Sequence, residues 1–578
     1  PCDSRFPAGY GAIRESISRA AGRLILSDCP GNQKHLPNVF TGGEYKRIRE
    51  RCKVTLRYLQ KARVGTAALV LALAVTGCAT APGASPAGSD TAAPGKSPAP
   101  QTSAAPFKVK EVAKIGLPPG PMGYLDHTLS PDGRWAVVLT TPGGKNPVRN
   151  KAGLWLYPVG QGEGRVLAET SEQDYAAGRL LLRSLGWAED NTLIFARQGT
   201  QPDGAHKGQR GLVFFAVKAD GAATAPAEVA WLPVQGGYVT EVYPSLAQGA
   251  VFVHADKAIW RVPLDGAQPT ALRQNLPSYD GLFYPRLSPA GTHFAYELWE
   301  PNKSGIYVLD TVTEAETCLA PRAETMSFGP QWSPDGRYLA YYTATTKKGS
   351  TDPYDRYDII MGEDAPLPIA VQVTIATPDD QKVAELSLPD KKLGYFTWSV
   401  DGTHLAFIAG QVQGKSPAES GELPAFQDAS LYLADVTGKL TEVGSLGAAP
   451  RQVITLPAVF AEEPAVYLLT AEKDGNALWL ARAGKEPLRL TPPGETKGYW
   501  SGYPWLTVGE SLFLTFDAAN YNPAGSRQMV QVWQDQVLPV VKGELTGFLA
   551  GRSGSRLAYL QEDPDGKKGE LVIFELGQ

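Results

Sequence analysis

Beyond residue 106 the chain consists of short runs in which apolar and polar residues alternate. RWAVVL (134–139) and RYLAYYT (337–343) have the period of two that belongs to half-buried strands. A turn phrase precedes these runs, seen most clearly in LSPDGRWAVVL (129–139), LSPAGTHFAYEL (287–298), WSPDGRYLAYYT (332–343), WSVDGTHLAFIA (398–409) and AGRSGSRLAYLQ (550–561). Looser copies are WAEDNTLIFAR (187–197), SLAQGAVFVHA (245–255), FAEEPAVYLLT (460–470) and TVGESLFLTF (507–516). Proline presets the first turn dihedral, aspartate bonds the turn backbone, and glycine supplies a positive φ.

The turn positions are Gly133, Asn191, Gly249, Gly291, Gly336, Gly402, Pro464, Gly509 and Gly554, about 53 residues apart on average. Most copies are followed by a third strand, such as GLVFFAV (211–217) or SLYLADV (430–436), and many by a shorter fourth. Each unit therefore reads as a four-stranded meander. One such sheet cannot bury both faces alone, so the units must pack on one another in a ring. The last unit ends after its third strand, and a spare strand, FKVKEVAKI (107–115), stands ahead of the first. The expectation is that this strand completes the final blade.

Ser333-Pro334-Asp335-Gly336 followed by Arg337-Tyr338-Leu339-Ala340-Tyr341 resembles the TolB-type, WD-like β-propeller repeat. The same repeat occurs in the propellers of prolyl oligopeptidase and dipeptidyl peptidase relatives. The resemblance implies an all-β fold, a single β-propeller of four-stranded blades over residues 107–578. Nine anchors are visible, but one weak anchor is open to misassignment. The expected number is eight, within a range of seven to nine. The motif builds turns, so it implies a fold and no activity.

The segment ahead of the repeats has a different character. Residues 1–53 show no periodicity and read as an extension that is not native to the protein. Arg57, Lys61 and Arg63 precede an apolar run, Val64–Thr76, which is too short for a transmembrane helix and fits the core of a secretory signal. Val75-Thr76-Gly77-Cys78 follows and resembles a bacterial lipobox. That resemblance implies a signal peptide over 54–77, cleavage before Cys78 and lipidation of its thiol; an ordinary signal or a short buried helix are the alternatives. Residues 79–106 are almost entirely Ala, Pro, Gly, Ser and Thr, a composition that cannot offset its own ordering entropy. As a coil these residues span about 30 Å, which makes 78–106 a tether behind a lipid-bearing cysteine. The expected location is extracytoplasmic, anchored to the bacterial cell membrane.

Composition sharpens this picture. The chain has 61 Gly, 47 Pro and a net charge of −4. Residues 1–77 carry 13 of the basic and 5 of the acidic side chains, so the remainder carries about −12. Such an acidic body offers nothing to nucleic acid. Beyond residue 77 only Cys78 and Cys318 remain, so no internal disulfide is expected. A monomer is the expected state.

Candidate chemistry is sparse. A hydrolase elbow needs Gly-x-Ser-x-Gly, and the nearest approach, Gly551-Arg-Ser-Gly-Ser555, has serine at its end and lies on a repeat turn. Ser130-Pro-Asp132-Gly133-Arg-Trp135 approaches a sialidase Asp-box with its glycine one place early. Asp435-Val-Thr437-Gly438-Lys439 is a single partial copy of a quinone-propeller phrase. His127, His206, His254, His293 and His404 form no metal-spaced pair, and no catalytic residue, metal site or cofactor is assigned. The most unusual segment is an insertion in the fifth unit that contains Asp352, Asp355 and Asp358 between tyrosines. Its two readings are a solvated loop and a binding surface or Ca²⁺ site. Asp563-Pro-Asp565-Gly566 reads as a hairpin turn. The sequence thus points to a non-catalytic binding or scaffold module for a protein, peptide or glycan. The alternative is a cell-envelope hydrolase or other enzyme acting on a glycan or peptide at the channel mouth.

Overall fold

The computed structural model describes residues 105–577 apart from a set of connecting stretches, among them 118–121, 124–127, 141–150, 346–371, 414–424, 457–464, 491–498, 518–526 and 563–568. Residues 1–104 lie outside the described residues, and with them the leader, Cys78 and nearly all of the tether segment.

The described strands form nine four-stranded antiparallel sheets. Blade 1 contains Met122–Gly123, Trp135–Thr140, Lys151–Pro158 and Arg165–Ser171, and blade 2 contains Leu180–Trp187, Thr192–Thr200, Arg210–Lys218 and Ala227–Pro233. Blade 3 is built from Val239–Ser245, Ala250–Ala255, Ala258–Pro263 and Thr270–Arg273, and blade 4 from Leu282–Leu287, His293–Glu300, Lys303–Asp310 and Glu316–Pro321. Blade 5 follows with Thr325–Trp332, Leu339–Thr345, Gln372–Ala376 and Lys382–Leu386, then blade 6 with Lys392–Trp398, His404–Gln413, Ala425–Asp435 and Leu440–Gly447. Blade 7 comprises Val453–Leu456, Ala465–Glu472, Gly475–Arg482 and Leu488–Arg489, and blade 8 comprises Tyr499–Val508, Ser511–Asp517, Arg527–Trp533 and Gln536–Val541. Blade 9 takes Thr546–Ser553, Arg556–Glu562 and Gly569–Gly577 from the C-terminal part of the chain. Its fourth strand is Lys108–Leu117, paired antiparallel from Lys108 opposite Gly577 to Leu117 opposite Gly569. The spare strand ahead of the repeats therefore closes the ring.

Nine blades is one more than the expected eight, at the upper edge of the expected range. The loosest turn copies build blades too. Asn191 adopts φ 63° in place of glycine, and Gly249 at φ 60° ends a short 3₁₀ turn, Leu246–Gln248. Asparagine tolerates the left-handed region better than most residues. Pro464, the weakest anchor, lies outside the described residues, yet the sheet whose first two strands flank it is complete.

The hydrophobic core consists of nine seams, each between consecutive blades. Leu193 and Phe195 face blade 1, while Ile194 and Ala196 of the same strand face blade 3. In blade 6, Leu405 and Phe407 face blade 5, and Ala406 and Ile408 face blade 7. Central strands buried on both faces read as nearly continuous apolar runs for this reason. The seam between blades 9 and 1 joins Ala113, Ile115, Leu117, Leu560 and Ile573 to Ala136, Val138 and Tyr157. Burying each large side chain in such a seam contributes about 1.5–3 kcal/mol. First strands of neighbouring blades approach one another and form the inner wall. The closing strand, by contrast, is exposed at most of its first positions.

Candidate binding face and inner wall

Alternating strand direction sorts the connections onto two faces. First-to-second and third-to-fourth connections share one face, here the turn face. Second-to-third and blade-to-blade connections share the other, the loop face. Most described connections on the turn face are short and built from local chemistry. In blade 1, Ser130 Oγ donates to Asp132 at 2.7 Å and accepts from Trp135 N at 3.0 Å, while Asp132 accepts from Arg134 N at 2.9 Å. Blades 5 and 6 repeat this around Ser333 with Asp335 and Ser399 with Asp401. Partial burial works against ionisation of Asp132, but the Arg134 backbone, the Ser130 hydroxyl and the Arg134 side chain outweigh it and hold the carboxyl below its usual range.

The loop face carries the length variation. Blades 3, 4 and 7 turn tightly there, through Asp256 and Lys257 in blade 3, both at positive φ as a type I′ hairpin requires. Blades 1, 2, 5, 6 and 8 insert 141–150, 201–209, 346–371, 414–424 and 518–526 at the same place. Asp352, Asp355 and Asp358 fall within 346–371, between Thr345 and Gln372 of blade 5. They lie outside the described residues. Of these insertions, 201–209 is described. It folds back over the outer part of blade 2, where His206 stacks on Trp231 at 4.2 Å and pairs with Glu228 at 2.9 Å.

The inner wall between blades 3 and 4 holds a group of ionisable side chains. Tyr243, on the first strand of blade 3, meets Phe294 edge-on at 4.9 Å. Its hydroxyl donates to Glu241, and the same oxygen lies 3.0 Å from Pro285 O of blade 4. Burial raises the Tyr243 pKa well above its ordinary value, and the Glu241 charge adds to that. His254 stands directly opposite Glu241 in the strand pairing and is 5% exposed. Burial lowers its pKa to about 4, and its Nδ1 has no hydrogen-bond partner among the described residues. In the next seam, Glu297 is 1% exposed and accepts from Gly329 N of blade 5. Gly329 sits at φ 64°, and a Cβ there would stand 3.1 Å from the Tyr342 ring.

The other sequence candidates have structural partners. Ser553 donates to Pro131 O at 2.7 Å and Ser555 bonds Glu575, so both serines of the Gly551–Ser555 stretch tie down a turn. Asp435 caps its own turn, accepting from Thr437 N at 2.9 Å and Lys439 N at 3.1 Å. His293 and His404 occupy equivalent places, bonded through Nδ1 to the preceding threonine hydroxyl and set opposite Asp310 and Asp435. Trp332 and Trp398 lie in seams and donate to Arg286 O and Gln331 O of the preceding blades. Cys318 is a half-buried free thiol whose pKa is raised by burial. Among the described residues no group of three His, Cys, Asp or Glu side chains is placed to hold a metal. Sequence reasoning named His254 without a role and missed Glu241 and Glu297, because their placement depends on strand register.

No family model and no curated protein matches the chain. Among solved structures, a putative TolB from Agrobacterium tumefaciens is 18% identical, with a TM-score of 0.24 and coverage of 49% of this chain and 85% of that one. The β-propeller domain of the Trilobed protease from Pyrococcus furiosus is 12% identical, with a TM-score of 0.31 and coverage of 68% and 93%. A eukaryotic initiation factor is 10% identical, with a TM-score of 0.42 and coverage of 76% and 91%. The propeller assignment rests on the strand pairing and the nine seams, not on these likenesses.

Proposed function

We propose that this chain is a lipid-anchored, extracytoplasmic β-propeller that holds a protein, peptide or glycan partner on its loop face. One observation carries this reading: most of the long connections between strands, including the longest, leave one face, while the chain enters the ring on the other. Lys108 lies opposite Gly577, and Leu576 N donates to Ser555 O in the first turn of blade 9, so the entry point is on the turn face. A tether attached there leaves the loop face free. Loops on a rigid scaffold are the usual carriers of recognition. Lipidation at Cys78 and the location outside the cytoplasm rest on the lipobox resemblance.

A photo-crosslinker placed at Lys257 on the loop face or at Lys439 on the turn face tests the reading in native membranes. Both side chains are exposed. One species crosslinked reproducibly from Lys257 and not from Lys439 supports it. Equal labelling from both positions overturns it.

The enzyme reading is favoured by the group of Glu241, Tyr243 and His254 beside the seam between blades 3 and 4. A carboxylate, a hydroxyl and a neutral imidazole are the parts of general acid–base chemistry. Turnover of glycan or peptide substrates that falls at least about a hundredfold in both Glu241→Gln and His254→Gln would place the protein among enzymes. Turnover unaffected by both changes removes this reading.

A further inference from the structure

We infer that Gln531 is a lock on the strand that closes the ring. Blade 9 lacks a connection that the other blades have. In blades 1 to 8 a short connection on the turn face joins the third strand to the fourth and fixes where the fourth begins. In blade 9 the partners at that end, Gly577 and Lys108, belong to distant parts of the chain, and no turn joins them. A strand end without such a staple frays readily, because each lost pair exposes little apolar surface.

Gln531 stands at this end. It lies on the third strand of blade 8 opposite Phe513, in the seam facing blade 9, and is 1% exposed. With the amide oriented to satisfy its neighbours, its nitrogen donates to Phe107 O at 3.0 Å. Its oxygen accepts from Phe107 N at 2.8 Å and from Ser511 Oγ at 2.8 Å. The side-chain amide thus makes the two bonds that a backbone pair would make. It makes them to the residue just before the first true pair, Lys108 with Gly577. Phe107 and Val109 pack against the same seam.

The repeat supplies an internal comparison. At the equivalent position, blades 4, 5, 6 and 7 present Val308, Ile375, Leu433 and Leu480 to the following seam. Blade 8 has an amide there, and blade 3 has Arg261 opposite Phe252. A fully buried amide costs stability unless both its ends are bonded. Here they are bonded, at the one seam that receives a free strand end. For a tethered protein, tension on the segment before Phe107 would meet this lock first; that consequence rests on the anchoring reading, whereas the lock itself does not.

Hydrogen exchange on the full chain tests the lock. Leucine occupies the equivalent site in blades 6 and 7, so Gln531→Leu should fold with a closely similar melting temperature. Amides of Phe107 to Glu111 should lose protection by about tenfold or more, while those of Leu571 to Phe574 hold theirs. Unchanged exchange at 107–111, or a uniform loss across blade 9, overturns the proposal. If Gln531→Leu does not fold, Ser511→Ala reads the same amides through the hydroxyl that orients the glutamine. A smaller loss confined to 107–111 supports the lock, and no change there overturns it.

Discussion

Asn191 and Asp132 bridge the first two blades by a reciprocal pair. Asn191 Nδ2 donates to Asp132 Oδ2 at 3.0 Å, and Asp132 N donates to Asn191 Oδ1 at 3.2 Å. The same asparagine holds φ at 63°. One residue therefore serves as the turn's left-handed position and as a staple to the preceding turn. Asn191→Gly keeps the backbone freedom and removes the bridge, at an expected cost of about 1 kcal/mol. Asn191→Ala loses both, with a further penalty of about 1–2 kcal/mol for the left-handed backbone. Chemical denaturation of the three proteins checks the order; an alanine variant as stable as the glycine variant contradicts it.

Trp398 offers a sharper test of the seams. It is 1% exposed, packs with Phe396, Phe407 and Leu405, and donates to Gln331 O of blade 5 at 3.2 Å. Trp398→Phe keeps an aromatic ring but leaves a cavity and an unpaired carbonyl. A loss of about 2–4 kcal/mol is expected, from the missing volume and the missing bond together. The mechanism requires Trp398→Phe to cost clearly more than a change at an exposed residue such as Val312→Ala, measured by the same unfolding curve.

These two residues also mark where sequence reasoning works and where it stops. The turn chemistry of Ser-Pro-Asp-Gly is complete within six residues, so each turn and the strand behind it can be read from the chain. Asn191 and Gly249 show the limit within the turns, since one left-handed residue without the full motif suffices to start a blade. The seam partners are a different matter. Trp398 facing Gln331, or Gln531 gripping Phe107, depends on which blade packs against which. Gln531 did leave one visible sign, a polar residue at an otherwise apolar position of MVQVW (529–533). Glu241 and His254 left none, because only the register between their strands sets them opposite each other.

His254 predicts how the ring responds to acid. Its ordinary pKa is 6.5, and burial brings it to about 4 in the fold. Between those values the unfolded chain binds a proton that the folded chain refuses, so stability rises with pH across that window. The contribution is fully present above about 6.5 and is lost as pH falls toward 4, up to about 3 kcal/mol in all. Asp132 and Asp401, held below their usual range, lose their contribution only below that window. Melting temperature against pH should slope downward on acidification from 6.5 to 4 in the wild type. In His254→Leu that slope should flatten while the steeper loss below pH 4 persists. An unchanged slope in the variant would assign the acid response to other groups.

The closing strand allows the ring itself to be opened and closed. Lys108–Leu117 makes the whole outer edge of blade 9, and Ala113, Ile115 and Leu117 are buried in the seam with blade 1. A chain beginning at residue 118 uncovers Ile573, Leu571 and Leu560 along that seam. Losing the two large side chains alone removes about 3–6 kcal/mol, before any backbone pairing is considered. The truncated chain should melt markedly lower than the intact one. It also leaves a vacant strand position with fixed register, because a one-residue slip would turn Ile115 and Leu117 away from the seam. A synthetic peptide of residues 107–117 should therefore bind the truncated chain and restore its melting temperature in a concentration-dependent way. A peptide with Ile115 and Leu117 changed to Asp should not. Recovery with the aspartate peptide, or a truncated chain as stable as the intact one, would show that the ring does not depend on this strand for closure.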